Sequence, residues 1–262
     1  MDMPTLSVIT VCFRAKEALS ATVDSLLQQT WTDFEYLVID GGSNDGTVPF
    51  LGQLEPLFSA KQIPFFCSSE PDHGIYDAMN KGVKKAHGKW LLFLNAGDLL
   101  ADATTLEQVF AHPMDASILY GDTRCIYEGQ TKLYPALPLD HLTYEMAFCH
   151  QSVFVKRDLL LEHPYDTSYQ VCADHEFFLA MYLKGVSFDY LPIPVSVYEI
   201  AGFSDQNKLL SHKEKIRMQK KLGVFHVTPF WILRECSFYA KQTIKNLFGQ
   251  KLIRAVRKRR LH

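Results

Sequence analysis

Leu94-Asn95-Ala96-Gly97-Asp98 closes the short apolar run Trp90–Leu94 and decides how the rest of the chain is interpreted. Such a run is typical of a parallel strand that is buried on both faces. A buried strand that ends in Asn and Asp brings a carboxylate to the C-terminal edge of the sheet, where open α/β sheets bind their ligands. A carboxylate there can hold a divalent metal ion that in turn holds a substrate's phosphates. The simpler alternative for Asp98 is to cap the following helix.

The composition is that of a globular protein with a substantial core, since 47% of the 262 residues are hydrophobic and 13% aromatic. Six dispersed cysteines without a CxxC pair argue against a zinc site or a disulfide framework and predict reduced thiols. We find no secretory signal pattern, and no apolar run approaches the ~20 residues that span a bilayer. These features predict a cytoplasmic protein, either soluble or peripheral at the inner membrane face.

Charge is distributed unevenly along the chain. From Lys208 to His262 there are 15 lysines and arginines and two acidic residues, whereas the first 207 residues contain 12 basic and 27 acidic ones. A shift of this size implies two surfaces with different partners. We therefore predict a main domain over residues 1–204 and a basic helical C-terminal region over 205–262.

The C-terminal region also carries an amphipathic helical pattern, because apolar and small residues recur every three or four positions from Phe230 to Leu247. Such a basic helix is typical of a segment that lies on an anionic membrane surface; a solvated helix packed on the main domain is the alternative. Nucleic acid is not expected as a partner, because no nucleic-acid-binding motif is present. The basic residues of this helix and its continuation are Lys241, Lys245, Lys251, Arg254, Arg257, Lys258, Arg259 and Arg260.

The first hundred residues alternate between strand and helix patterns. This order predicts a mostly parallel sheet flanked by helices. We interpret residues 1–100 as a nucleotide-binding half. The strand patterns are Leu6–Val11, Phe34–Ile39, Pro64–Cys67 and Trp90–Leu94. The helical patterns are Lys16–Gln29, Val48–Phe58 and Ile75–Ala86.

After Asp98 the pattern changes to short strands, so residues 101–204 are interpreted as an acceptor-handling half. A helix is predicted at Asp174–Lys184, where Gly185 stops it. The predicted short strands are Ile118–Tyr120, Arg124–Tyr127, Thr131–Tyr134, Ser152–Val155, Val186–Leu191 and Val195–Tyr198.

Four motifs in order along the first half resemble those of the family 2 glycosyltransferases, and within that family the bacterial enzymes of capsule, colanic-acid and O-antigen assembly. The resemblance is close over Leu6–Leu100 and looser to Gly202. It implies the GT-A fold, an α/β, Rossmann-like, mixed and mostly parallel sheet flanked by helices, here with a C-terminal helical appendage. The motifs are Ser7-Val8-Ile9-Thr10-Val11, Val38-Ile39-Asp40-Gly41-Gly42-Ser43-Asn44-Asp45-Gly46-Thr47, Glu70-Pro71-Asp72-His73-Gly74-Ile75-Tyr76-Asp77-Ala78-Met79-Asn80-Lys81-Gly82 and Phe93-Leu94-Asn95-Ala96-Gly97-Asp98.

The resemblance implies a nucleoside-diphosphate-sugar donor, with UDP expected and GDP or dTDP as alternatives. Asp40 would accept a hydrogen bond from the base, or would instead fix its glycine-rich turn. Gly41 would let the backbone approach a flat ligand. Acids such as Asp72 and Asp77 are also favoured at a helix start by its dipole, whatever their function. The other candidates for donor binding are Thr10, Cys12, Arg14, Asp72, Asp77, Lys81, Asn95, Ala96 and Gly97.

Asp98 corresponds to the last acid of the family's metal motif. Gly97 replaces the acid that precedes it, so that one carboxylate is left at this strand end. One carboxylate and the donor diphosphate can still hold Mg²⁺ or Mn²⁺, with water completing the octahedron. This departure predicts weak metal affinity without substrate and leaves metal-independent catalysis open.

Asp174 matches the position of the family's general base at a helix N-terminus. A carboxylate there can take the proton that the acceptor hydroxyl loses as it attacks; an N-cap is its alternative. His175 and Glu176 would replace it if the register were shifted by one. His150 and Gln151 lie in a segment that resembles one near the acceptor, where they would bind the acceptor or the leaving diphosphate, although His150 also suits a structural role.

Together these features predict an inverting glycosyltransferase of surface polysaccharide biosynthesis that acts on a saccharide or lipid-linked oligosaccharide acceptor. A glycoside hydrolase with Asp98 and Asp174 as its paired carboxylates is one alternative, but it leaves Asp40 and Gly41 without a purpose. A non-catalytic, membrane-tethered scaffold is the other. The missing acid at Gly97 favours a scaffold, whereas the two intact acids do not.

Overall fold

The computed structural model describes residues 3–127, 129–199, 207–227, 233 and 237. The chain divides into two compact units, Met1–Met218 and Gln219–His262, and the candidate site lies in the first. The amphipathic helix predicted after Phe230 lies outside the described residues except for two isolated positions, and the division at residues 204 and 205 stays a prediction. Among the helices described here, none is both long enough and apolar enough to cross a membrane.

The strands of the described residues form one mixed sheet in the order β3-β2-β1-β4-β8-β6-β9-β5, and β7 pairs with β6. The strands are β1 (Leu6–Cys12), β2 (Phe34–Asp40), β3 (Phe65–Ser69), β4 (Trp90–Phe93), β5 (Leu99–Leu100), β6 (Ile118–Tyr127), β7 (Gln130–Tyr134), β8 (Val153–Lys156) and β9 (Phe188–Glu199). The α-helices are α1 (Lys16–Leu27), α2 (Thr47–Leu51), α3 (Glu55–Ser59), α4 (Ile75–Lys85), α5 (Thr105–Phe110), α6 (Arg157–Glu162), α7 (Ala173–Leu183) and α8 (Lys208–Lys221), with 3₁₀ turns at Leu139–Thr143 and His150–Ser152.

The first half of the sheet is parallel, since β1 pairs in parallel with β2 and β4, and β2 with β3. β1, β2 and β4 are buried along their whole length, which explains their nearly continuous apolar sequences. Successive side chains of β1 alternate between the faces. Leu6 and Val8 join the core cluster that includes the apolar face of α1, whereas Ile9 lies against α4. The predicted α/β class is therefore confirmed.

The second half departs from the parallel pattern, because β8 is antiparallel to both β4 and β6. β6 and β9 are each continuous where the sequence predicts two short strands, and that part of the prediction is wrong. Their parallel pairing shifts register around Asp122, which lies opposite Pro194. A bulge of this kind lets a strand carry prolines within a sheet.

The helix predicted over Val48–Phe58 is two short helices, α2 and α3. Pro56 lies in the first turn of α3, where the missing N–H costs nothing because that group would have no partner within the helix. Pro56 therefore lies at the start of a new helix, α3, and α2 does not continue through it.

Parallel pairing brings the C-terminal ends of β1 and β2 together, with Cys12 opposite Asp40. The turn after β4 lies on the same edge, where the Leu94 and Ala96 N–H groups donate to carbonyls of β1. This edge holds most of the candidate site residues of the first half.

Gly82 marks the closest approach of α4 to the sheet. A Cβ added there would lie 2.6 Å from Ile9 Cγ2 and 3.4 Å from Ile39 Cγ1. We expect Gly82→Ala to lower the free energy of unfolding by about 1 kcal/mol, because overpacking at about 1–3 kcal/mol outweighs the roughly 1 kcal/mol of helix propensity that alanine adds. Urea denaturation measures the change. Lys84→Ala, at an exposed position of the same helix, is the control, and equal or greater stability of Gly82→Ala would contradict this packing.

Candidate active site

A cavity of about 530 Å³ opens where β1 ends. Its walls are the end of β1 with Phe13, the segment from Asp72 to Ala78, and the loop Thr167–Gln170. A volume of this size is typical of small-ligand sites. Phe13 is 56% exposed and Ile75 is 37% exposed, so the cavity lining includes apolar surface that a flat ligand can cover. Of the predicted donor residues, Cys12, Asp72 and Asp77 line this cavity.

The turn after β2 is organised by the carboxylate of Asp40, which is completely buried. Oδ1 accepts hydrogen bonds from Ser43 Oγ at 2.5 Å and Cys12 Sγ at 3.6 Å; Oδ2 accepts from Gly42 N at 3.1 Å, Ser43 N at 2.9 Å and Ser69 Oγ at 2.6 Å. Burial acts to raise the pKa of Asp40, but the hydrogen bonds from Ser43, Ser69 and Cys12 lower it overall. Asp40 therefore fixes the turn, and its contact with a base stays a prediction.

Gly41 makes room for Asp72. A Cβ on Gly41 would lie 2.5 Å from Asp72 Oδ2, closer than atoms approach without a shift. The other oxygen of Asp72, Oδ1, accepts the Gly74 N–H at 2.9 Å, which orients the carboxylate at the start of α4. Glycine at position 41 therefore serves the placement of an acid in the cavity wall.

Asp77 and Lys81 hold the loop that precedes α4. Asp77 Oδ2 accepts the His73 N–H at 3.0 Å and lies 3.4 Å from Lys81 Nζ. Lys81 Nζ also donates to the Pro71 carbonyl at 3.0 Å and lies 3.3 Å from a Glu70 oxygen. The His73 hydrogen bond and the Lys81 charge lower the pKa of Asp77. Both side chains thus bind the segment that precedes α4, and their contacts with a donor stay predictions.

Thr10 lies in the core of the sheet. Its hydroxyl donates to the Leu94 carbonyl at 2.6 Å and accepts from Tyr36 Oη at 3.0 Å, and the residue is completely buried. Thr10 thus joins β1 to the end of β4, and none of its surface is exposed for the predicted contact with a donor.

Arg14 lies beside the cavity on a left-handed backbone with φ of 50°. Its N–H donates to Ser43 Oγ at 2.6 Å, which ties it to the Asp40 turn. Its guanidinium lies 5.0 Å from the centre of the Phe13 ring, a cation–π arrangement. The exposed Arg14 side chain therefore extends beside the same aromatic ring that lines the cavity.

The turn from Asn95 to Asp98 is closed by Thr22 of α1. Thr22 Oγ1 accepts the Gly97 N–H at 2.9 Å and donates to the Asp98 carbonyl at 2.9 Å. Gly97 has a φ of 100°, a conformation that side-chain-bearing residues adopt only with strain. The backbone of this turn therefore suits glycine at position 97.

Asp98 is a carboxylate with few donors. In the part of the chain that is described, its Oδ1 accepts from Gln151 Nε2 at 3.4 Å. Burial raises the pKa of Asp98 to about 6, against the lowering effect of the nearby His150 charge and of an Asn95 hydrogen bond. The acid is thus half-ionised near pH 6.

His150 connects the end of β4 to the start of α7. Its Nε2 lies 3.0 Å from Asn95 Nδ2 and its Nδ1 lies 3.5 Å from Asp174 Oδ2. With the amide donating to Nε2, the ring proton is placed on Nδ1, facing Asp174. The next residue, Gln151, donates from Nε2 to Asp98 Oδ1 at 3.4 Å, so two consecutive residues contact the two predicted acids.

Asp174 lies in the first turn of α7 with its side chain 16% exposed. Its Oδ1 accepts from Tyr76 Oη at 2.9 Å and from the His175 N–H at 2.8 Å. The alternatives His175 and Glu176 are buried. His175 Nε2 lies 2.8 Å from the Leu142 carbonyl, and burial lowers its pKa to about 4. Asp174 is thus the most exposed of the three, and its role as the base stays a prediction.

Tyr76 is a site residue that the sequence analysis does not identify. It lines the cavity, and its hydroxyl donates to Asp174 and lies 2.8 Å from the Val171 carbonyl. It thereby links the cavity to the predicted base. The available signal is a tyrosine at the start of α4, directly after the acidic Asp72 segment.

Comparisons with known proteins identify the family of this chain. The model of glycosyl transferase family 2 matches residues 7–160. A PGL/p-HBAD biosynthesis glycosyltransferase of Mycobacterium tuberculosis is 33% identical over 232 residues, which is 86% of this chain and 88% of the relative.

Two solved structures have a similar fold. The mannosyltransferase PcManGT of Pyrobaculum calidifontis, in complex with GDP-Man and Mn²⁺, has a TM-score of 0.64 and 16% identity, covering 87% of this chain and 67% of that one. S. aureus TarS 1-349 in complex with UDP-GlcNAc has a TM-score of 0.62 and 15% identity, covering 83% and 71%. These likenesses show that the fold is GT-A.

The raised pKa of Asp98 has a consequence for stability. A folded-state pKa near 6, above the ordinary 3.8, means that ionised Asp98 destabilises the fold above that range. We expect Asp98→Asn to raise the free energy of unfolding at pH 7.5 by about 1–3 kcal/mol, at about 1.4 kcal/mol per pKa unit, and the gain to vanish near pH 4. Urea denaturation at both pH values, with the exposed Asp158→Asn as control, measures it. A less stable Asp98→Asn at pH 7.5 would refute the shift.

Proposed function

The chain belongs to glycosyl transferase family 2, and from that premise we propose that it is an inverting enzyme that moves one sugar from a nucleoside diphosphate onto an acceptor hydroxyl. The observation that carries this proposal is the shared surroundings of Asp98 and Asp174. His150 lies against Asp174, and the next residue, Gln151, donates to Asp98. Tyr76 lines the cavity and donates to Asp174. Family membership sets aside the hydrolase and scaffold alternatives.

In the proposed reaction Asp174 accepts the acceptor's proton. The acceptor oxygen attacks the anomeric carbon, the bond from that carbon to the diphosphate oxygen breaks, and the diphosphate leaves with the electron pair. Asp174 Oδ1 already accepts from Tyr76 and from the His175 N–H. Its Oδ2 lies 3.5 Å from His150 Nδ1, keeps a lone pair free, and is the oxygen proposed to take the proton. General-base catalysis requires that this oxygen be within hydrogen-bond reach of the hydroxyl.

The donor would occupy the cavity beside Phe13 and Asp72. Its volume of about 530 Å³ and partly apolar walls suit a nucleotide. The structural neighbours were solved with UDP-GlcNAc and with GDP-Man, which supports a nucleotide-sugar. We infer UDP as the donor nucleotide, with GDP and dTDP as the alternatives to test.

The turn after β4 fits a divalent metal that is completed by the donor. Asp98 offers a carboxylate, and Asn95 Oδ1 is buried without a hydrogen-bond partner among the described residues. Both are oxygen ligands of the kind that Mg²⁺ and Mn²⁺ prefer. Among the described residues, no group of three or more His, Cys, Asp or Glu could hold a metal ion by itself. The affinity of this turn for a metal ion would therefore depend on the donor's phosphates. When bound, the ion would stabilise charge on the leaving diphosphate.

The acceptor is proposed to be a saccharide, in its lipid-linked form at the inner face of the cytoplasmic membrane, in surface polysaccharide biosynthesis. His150 and Gln151 lie next to the two acids and would contact the acceptor or the leaving diphosphate. The basic composition of residues 205–262 supports attraction to an anionic surface.

Replacing the proposed base separates chemistry from donor binding. We expect Asp174→Asn to lower transfer about 10²–10⁴-fold, because the amide cannot take the proton. Transfer is measured as nucleotide released from UDP-, GDP- and dTDP-sugars with a membrane lipid extract. Calorimetry with UDP, GDP and dTDP, each with and without Mn²⁺, should show that the nucleotide that binds wild type also binds the variant. Asp158→Asn, an exposed acid in the first turn of α6, is the matched control. Wild-type turnover by Asp174→Asn would rule out this role.

Membrane attraction is tested by removing charge from the basic region. We expect six lysine and arginine to glutamine changes to lower binding to phosphatidylserine vesicles more than about 100-fold, at roughly 1 kcal/mol per basic residue near the surface. Co-sedimentation measures binding, with phosphatidylcholine vesicles as reference. Unchanged sedimentation would count against a membrane role. The six changes are at Lys251, Arg254, Arg257, Lys258, Arg259 and Arg260. Control changes on the exposed surface of the described residues are at Lys61, Lys84, Lys85, Lys89, Lys132 and Lys184.

A further inference from the structure

Glu214 of α8 is a buried acid that the proposed mechanism does not use, with 6% of its surface exposed. Its Oε1 accepts the Gln170 N–H at 2.8 Å, and its Oε2 accepts the Val171 and Cys172 N–H groups at 2.9 and 3.1 Å. A buried carboxylate is costly unless it is hydrogen-bonded. Here three successive backbone donors point at one carboxylate, and they fix the direction of the chain as it enters α7.

Arg217 extends this contact from the next turn of α8. Its Nη2 donates to the Ser168 carbonyl at 3.0 Å and to the Ser168 hydroxyl at 3.2 Å. Its guanidinium lies 3.8 Å from the centre of the Tyr169 ring. Glu214 and Arg217 together contact every residue from 168 to 172, which we call the clamped segment.

The clamped segment belongs to both parts of the proposed site. Ser168, Tyr169 and Gln170 line the cavity. The Val171 carbonyl lies 2.8 Å from the Tyr76 hydroxyl that also donates to Asp174. A shift of this segment would therefore change the cavity wall and the surroundings of Asp174 together.

We propose that Glu214 is a positioning residue that holds the clamped segment, and through it Asp174 and the donor cavity, in the arrangement that transfer requires. The roles of Asp174 and of the donor cavity in transfer rest on the proposed function. The position of the backbone does not rest on it, because that position follows from the three hydrogen bonds alone. Connecting segments of this kind are more mobile than the helices that they join, so an anchor from α8 supplies order that the segment lacks by itself.

Glu214→Gln tests the anchor with little change of volume. The amide retains one oxygen acceptor but presents an N–H₂ group to at least one backbone N–H, so a hydrogen bond is lost. We expect faster hydrogen exchange of the amides at residues 170–172. We also expect kcat to fall by about 10- to 100-fold, as misplacement of catalytic groups by about 1 Å does, together with a rise in KM for the donor. Lys213→Ala, at the exposed neighbouring position of α8, should change none of these quantities.

Arg217→Ala is a second variant in case Glu214→Gln folds poorly. Arg217 is exposed and contacts the cavity-lining part of the segment, away from Asp174. We expect it to raise the KM for the donor several-fold while kcat stays closer to the wild-type value. This split between kcat and KM distinguishes positioning from a general loss of folded protein, which would lower the active fraction without changing KM.

Two results would overturn the inference. One is unchanged hydrogen exchange at residues 170–172 in Glu214→Gln. The other is a lower melting temperature with wild-type kcat and KM per folded molecule, which would make Glu214 merely structural. Absence of transfer by the wild-type protein would instead contradict the proposed function, and the anchor would then be judged from hydrogen exchange and from calorimetric affinity for UDP, GDP and dTDP.

Discussion

The contact of the His150 imidazole with Asn95 on one side and Asp174 on the other joins two parts of the fold that are built differently. Asn95 follows a strand of the parallel half, and Asp174 opens a helix of the mixed half. Buried polar groups need hydrogen-bond partners. Here Asn95 contacts His150, His150 contacts Asp174, and Tyr76 donates to Asp174, so the side chains form one series. This series leaves the Asn95 side-chain oxygen without a hydrogen-bond partner among the described residues, and it leaves the Asp98 carboxyl with a raised pKa. A buried polar group without a partner is rare in folded proteins, and a bound ion or ligand is one explanation for it.

Much of the fold could be predicted from the sequence, because its parallel half is encoded locally. β1, β2 and β4 are buried on both faces, so their apolar runs are unambiguous. α1 and α4 show helical periodicity, and α7 is predicted from the Gly185 that ends it. β6 and β9 could not be predicted at full length. Their continuity depends on a bulge near Asp122 that pairs with a proline-containing partner distant in the chain. Local patterns contain no information about such a pairing.

Site residues divide in the same way. Motifs point to Asp98, His150 and Asp174. In the structure His150 lies against Asp174, and the next residue, Gln151, contacts Asp98. Residue type alone could not show that the side chains of Thr10 and Asp40 form their hydrogen bonds with other groups of the protein. The sequence also does not show which distant backbone groups a side chain contacts. Glu214 therefore reads as one acid in a basic region, although three backbone donors surround it.

Burial shifts two titrating groups near the site in ways that oppose each other. The pKa of Asp98 is raised from 3.8 to about 6, so its contribution to stability grows as the pH falls through that interval. The pKa of His175 is lowered from 6.5 to about 4, so stability that is present above pH 6.5 is lost as the pH falls. Between about pH 4 and 6 the two contributions offset each other, at about 1.4 kcal/mol per pKa unit. In the proposed metal site, protonation of Asp98 would remove a ligand, so metal binding at this turn would weaken as the pH falls through about 6.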